Sequence, residues 1–140
     1  MRLATTLIVM LLATGSWATP TPAEANSLTL ELNKVTDSPQ GCLATLLIGN
    51  KLERNLDRFR LDLVLFNGKG VLFDRVLIDL APLPRGRTTV ASFPLVPGTC
   101  TGVSRILLQD VPACRAEGQK EMDCLSGIAV SSRTGIEFGM

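Results

Sequence analysis

The chain has no histidine and no tyrosine, and its single tryptophan, Trp17, lies in the N-terminal segment. Without imidazole, Ser-His and Cys-His nucleophile pairs are excluded, as are histidine metal ligands. Once Trp17 is set aside, the remaining aromatics are five phenylalanines, a poor set for binding sugars by ring stacking. No Cys-x-x-Cys spacing occurs among Cys42, Cys100, Cys114 and Cys124, which removes the dithiol redox motif and closely spaced zinc ligands. Neither a Gly-x-Ser-x-Gly elbow nor a glycine-rich phosphate loop is present. The formal net charge is +1 without a basic run, so there is no electrostatic footprint for nucleic acid. These gaps imply no cofactor, no metal and no enzyme.

What is present begins with a targeting segment. Arg2 precedes an apolar run over residues 3–13 centred on Leu7-Ile8-Val9-Met10-Leu11-Leu12. A bilayer span takes about twenty apolar residues, so this run is too short to be an anchor. Ser16-Trp17-Ala18 and Ala23-Glu24-Ala25 both fit a small-x-small cleavage site. Cleavage after Ala25 leaves residues 26–140 as one domain, and cleavage after Ala18 is the alternative. Arg2 and Glu24 leave together, so the net charge is unchanged. No second long apolar stretch follows, so no membrane association is expected after cleavage.

The domain is organised around residues 56–80. Phe59, Leu61, Leu63 and Leu65 alternate with Arg58, Arg60, Asp62 and Val64, the period-two pattern of a half-buried strand. Asn67-Gly68-Lys69-Gly70 follows, and Asn-Gly between apolar runs is a strong hairpin signal. The return strand carries Leu72, Val76, Ile78 and Leu80 on one face. With four loop residues outside the ladder, Phe66 faces Val71, Leu65 faces Leu72, Leu61 faces Val76 and Phe59 faces Ile78. The opposite face then pairs Val64 with Phe73 and Asp62 with Arg75, an opposite-charge pair that helps fix a register. Asp74 falls beside Leu63 on the apolar face, where a bulge or twist is needed to bring it to solvent.

Further strands are expected at 28–33, 42–48, 88–95, 103–111 and 125–132, with a short tail at 136–138. The strand at 42–48 is apolar on both faces and belongs inside a sheet, whereas Pro94 places the strand at 88–95 on an edge. Residues 112–123 read as a polar loop. Seven antiparallel strands separated by short turns give an all-β fold, an immunoglobulin-like β-sandwich.

Four cysteines in an exported chain imply two disulfides. Cys114 and Cys124 bracket one loop and make the simplest local bridge, which leaves Cys42 for Cys100. Asp62, Asp74, Asp79 and Asp110 are the carboxylates able to converge on folding, the basis of an alternative reading as a carboxylate-dependent enzyme or accessory domain. Solvated strand positions explain them more simply.

The segments Leu28-Thr29-Leu30-Glu31-Leu32-Asn33-Lys34, Leu61-Asp62-Leu63-Val64-Leu65-Phe66, Leu107-Leu108-Gln109-Asp110-Val111 with Cys114, Asp123-Cys124-Leu125 and Ser131-Ser132-Arg133 are similar to a family of small exported alphaproteobacterial proteins. Its members are labelled Tat pathway signal sequence domain protein and have no assigned activity. The resemblance implies a Gram-negative periplasmic setting and supplies no functional residues. Arg2 is followed by Leu3, so the twin-arginine pair is missing and general secretion is the expected route. The resulting expectation is a periplasmic binding or structural module. Its recognition surface is the second hairpin face, Val64, Phe66, Val71 and Phe73, docking another periplasmic protein or a second copy.

Overall fold

The computed structural model describes residues 27–140; the expected signal segment and both cleavage sites lie outside the described residues. The fold is all-β, a sandwich of two four-stranded sheets. The eight strands are β1 (Leu28–Ser38), β2 (Gly41–Asn50), β3 (Leu56–Phe66), β4 (Leu72–Asp79), β5 (Arg87–Val96), β6 (Arg105–Ala116), β7 (Ile128–Ser132) and β8 (Glu137–Gly139). The first sheet runs β5-β2-β1-β7 and the second β4-β3-β6-β8. Two 3-10 turns, Cys100–Gly102 and Leu125–Gly127, interrupt the connections.

Alternation drives the layering. Leu28, Leu30 and Leu32 of β1, Cys42, Ala44, Leu46 and Ile48 of β2, and Leu61, Leu63 and Leu65 of β3 all point inward and are buried. Each fully buried leucine contributes about 1.5–3 kcal/mol over an exposed one. The doubly apolar β2 lies inside its sheet between β1 and β5, and β5 with Pro94 is an edge. The β1–β2 hairpin turns tightly on Gly41, whose φ is 111°. A Cβ there would sit 2.2 Å from the Val96 carbonyl oxygen, so only glycine fits the close approach.

Five expectations are corrected. An eighth strand exists, since the 136–138 tail becomes β8 and pairs with β6. Two pairings, β1–β7 and β6–β8, are parallel, so the strands are not all antiparallel. β6 does not stop at Val111 but continues to Ala116. It crosses Pro112 where the register with β3 shifts between Arg60↔Ala113 and Asp62↔Asp110, and a bulge is one of the few sheet positions that accept proline. The strand expected at 125–132 starts only at Ile128, after the second 3-10 turn.

The fifth correction is the central register. Leu61 faces Ile78, Leu63 faces Val76, Val64 faces Arg75, and Phe66 faces Leu72. Phe73 is the extra residue of a bulge between the Leu65↔Asp74 and Phe66↔Leu72 pairs. The turn is also longer than four residues: the Asn67 N–H donates to the Val71 carbonyl, and Asn67 Oδ1 accepts from Lys69 and Val71. Inner and outer faces are as the alternation requires from Asp74 onward. Leu72, however, falls on the exposed side of the bulge.

Both disulfides staple chain crossings between sheets. Cys42 of β2 joins Cys100, which lies on the passage from β5 to β6. Cys114 of β6 joins Cys124, on the passage from β6 to β7. These are the pairs that spacing selects, and disulfides of this kind persist in oxidising, extracytoplasmic compartments.

Candidate functional site

The outer face of the β3–β4 hairpin is the part of the surface that alternation alone does not explain. Among the described residues, seven large hydrophobics are exposed, and four of them, Val71, Leu72, Phe73 and Leu77, lie on the β4 arm. Their exposures are 55%, 55%, 43% and 56%. Single exposed hydrophobics need no explanation, but a run along one strand marks a contact surface.

The four residues expected to form the recognition face separate. Val71 and Phe73 are exposed near the hairpin tip. Phe66 is half-buried, with the Arg105 guanidinium 5.6 Å from its ring centroid, a cation–π distance. Val64 is only 6% exposed, flanked by its register partners Arg75 and Leu107, and is not available to a partner. Leu72 and Leu77 take its place. Alternation along the return strand puts Leu77 on the outer face and Leu72 on the inner one, and the Phe73 bulge that turns Leu72 outward leaves no mark in composition.

Charges frame the apolar strip. Asp62, 3% exposed, lies on the outer face of β3 and accepts two hydrogen bonds from Arg75, the Nε–Oδ1 contact measuring 2.7 Å. Hydrogen bonding to Asp62 and that carboxylate's charge hold the Arg75 guanidinium above its ordinary pKa, with Asp110 adding to the effect. Arg60 grips Asp79 directly across the ladder with two bonds of 2.9 and 2.8 Å. That grip holds the Asp79 carboxyl below its ordinary range.

The same contacts decide what the acidic residues can do chemically. Asp62 and Asp110 are register partners across β3 and β6, but Asp62 is committed to Arg75 and Asp79 to Arg60. Asp57 is paired with Arg115 and Glu121 with Arg58. The Asp74 carboxylate turns back to accept the Arg75 backbone N–H at 2.8 Å. Among the described residues, no three of His, Cys, Asp and Glu are grouped to hold a metal ion, and no helix is long and apolar enough to cross a membrane.

A concavity of about 730 Å³ lies where residues 51–55 meet the loop after β6. Leu52, Ala116 and Met122 give it an apolar floor, and Arg54, Glu53 and Lys120 line its rim. Asn50 shapes the wall by donating to the Arg54 and Leu83 carbonyls and accepting from Leu52 N–H. Sequence reading missed it, although Leu52 and Met122 are apolar residues stranded in polar loops. No family model matches this chain, and no significant match to it is found among curated proteins or solved structures.

Proposed function

We propose that this chain is an exported, non-catalytic binding module of the Gram-negative periplasm that engages a protein partner through the β4 arm of its central hairpin. The carrying observation is the concentration of exposed Val71, Leu72, Phe73 and Leu77 on that single arm. Paired disulfides, a short N-terminal apolar run with small-x-small sites, and the resemblance to exported alphaproteobacterial proteins support the compartment. The engagement of Asp62, Asp79, Asp57 and Glu121 by arginines supports the non-catalytic reading over carboxylate chemistry. A partner surface of this kind gains from apolar anchors flanked by charge, since the apolar residues supply affinity and the charges orientation.

The test is a Phe73→Ser, Leu77→Ser double variant. It should keep the unfolding midpoint of the parent and lose association. A variant that unfolds would show these side chains to be core and would overturn the reading.

A further inference from the structure

The partner of the β4 arm is narrowed by the strand's hydrogen-bonding parity. The Leu80 N–H donates to the Phe59 carbonyl at 2.8 Å, which makes Phe59 and Leu80 a hydrogen-bonded pair of the antiparallel ladder. Such pairs alternate with non-bonded ones. In the observed register, Ile78, Val76 and Asp74 therefore face β3 with their backbone groups. The N–H and C=O groups of Arg75, Leu77 and Asp79 point away from the sheet. β4 is the edge strand. The outward Arg75 N–H is met by its own neighbour, Asp74 Oδ1, as befits a ladder donor without a strand partner.

Edge strands are ordinarily blunted by proline, lysine, shortness or a bulge. On the same side of the sandwich, β5 carries Pro94, and at the opposite side β7 and β8 are five and three residues long. β4 has eight residues without proline or lysine, and its bulge lies at its first residues, leaving Asp74 onward regular. A cleft of 520 Å³ lined by residues 77–82 and 89–93 runs along it.

We propose that the occupant of this edge is a second copy of the chain, paired antiparallel about a two-fold axis at Leu77. This deepens the binding-module reading and rests on it. The sequence Arg75-Val76-Leu77-Ile78-Asp79 is complementary to its own reverse: Leu77 meets Leu77, Val76 meets Ile78, and Arg75 meets Asp79 twice. The three pairs that need outward backbone groups are the three that have them. Arg75 binds Asp62 through Nε and Nη2, which leaves Nη1 for Asp79 of the second copy. Phe73 falls opposite Ala81, beyond the strand's last residue, Asp79. A register moved by one residue would set Arg75 opposite Ile78 and Asp79 opposite Asp74, and would match outward backbone groups with inward ones. The product is a closed, isologous dimer with one continuous eight-stranded sheet.

The experiment measures mass by light scattering on the oxidised protein from low to millimolar concentration, for the parent, Leu77→Lys, Leu77→Cys and Val90→Cys. The parent should double in mass, and Leu77→Lys, which sets like charges across the axis, should stay monomeric. Opposed Cα atoms in a bonded antiparallel pair are about 5.5 Å apart, within the roughly 4.4–6.8 Å a disulfide spans. All four native cysteines are paired, so Leu77→Cys reports alone and should form a covalent dimer, while Val90→Cys on β5 should not. A monomeric parent at millimolar concentration overturns the self-pairing, as does cross-linking at Val90→Cys alone. If the Phe73→Ser, Leu77→Ser variant keeps its fold in that case, the binding surface stands and only the second copy is refuted. If it unfolds, both fail.

Discussion

Arg75 reaches Asp62 diagonally, two positions along the ladder from its register partner Val64. The pair is the one that charge complementarity suggests, but the geometry is not. It forms across a hairpin whose register differs from the simplest alignment by two residues, and the nearly buried Asp62 depends on it.

Removing one member of a pair with a buried charge costs more than replacing both by apolar residues. Arg75→Met should therefore lower the urea midpoint well beyond the effect of an ordinary surface substitution. Asp62→Leu combined with Arg75→Met should recover most of the loss. Equal destabilisation by the single and double variants would show that Asp62 does not need its arginine.

The inner and outer faces of the hairpin make opposite predictions for the same chemical change. Leu63→Ala empties a fully buried site and should cost about 2–5 kcal/mol in denaturant unfolding. Leu77→Ala removes an exposed side chain and should stay within about 0.5 kcal/mol. Measured on dilute protein, these two numbers report the face assignment independently of any partner.

How much of this was legible follows from the same residues. Alternation at Phe59 to Leu65 and the Asn67-Gly68 turn mark the hairpin, and both are local signals. Phe73 is chemically suited to either face, so no local signal marks it as the bulge residue or predicts the exposure of Leu72 that follows from it. Pro112 argues locally for a loop, yet tertiary context places it at a bulge inside β6. The parallel closures of β7 and β8 join residues about a hundred and about thirty positions apart, and no turn residue encodes them. On the site, the sequence marked the hairpin's second face, but burial of Val64 and the cavity over Leu52 and Met122 depend on neighbours that only the folded chain brings together.

The disulfides differ in what they constrain. The separations are 58 residues for Cys42–Cys100 and 10 for Cys114–Cys124. In the chain-entropy account these contribute about 4 and about 2.7 kcal/mol. Cys42→Ala with Cys100→Ala should thus lower the unfolding free energy more than Cys114→Ala with Cys124→Ala. The reverse order would show that stapling the β6–β7 crossing matters more than loop length.

Acid should weaken the fold through its surface pairs. Hydrogen bonding to Arg115 and to Arg60 holds Asp57 and Asp79 below the ordinary 3.8. A folded-state value below the unfolded one gives stability that is complete above 3.8 and lost as pH falls through the depressed value. The thermal midpoint should therefore be flat down to about pH 4 and then fall, and Asp79→Asn should make the fall shallower. Salt should reduce the difference between the two profiles, because both pairs are exposed.

Residue-resolved amide exchange along β4, followed from dilute to concentrated protein, tests the central claim most directly. The account predicts slow exchange at Val76 and Ile78 at every concentration, because these amides bond β3. At Leu77 and Asp79 it predicts fast exchange when dilute and protection as concentration rises. Protection of Leu77 and Asp79 at all dilutions, or fast exchange at every concentration, would contradict an open β4 edge that pairs with a second copy.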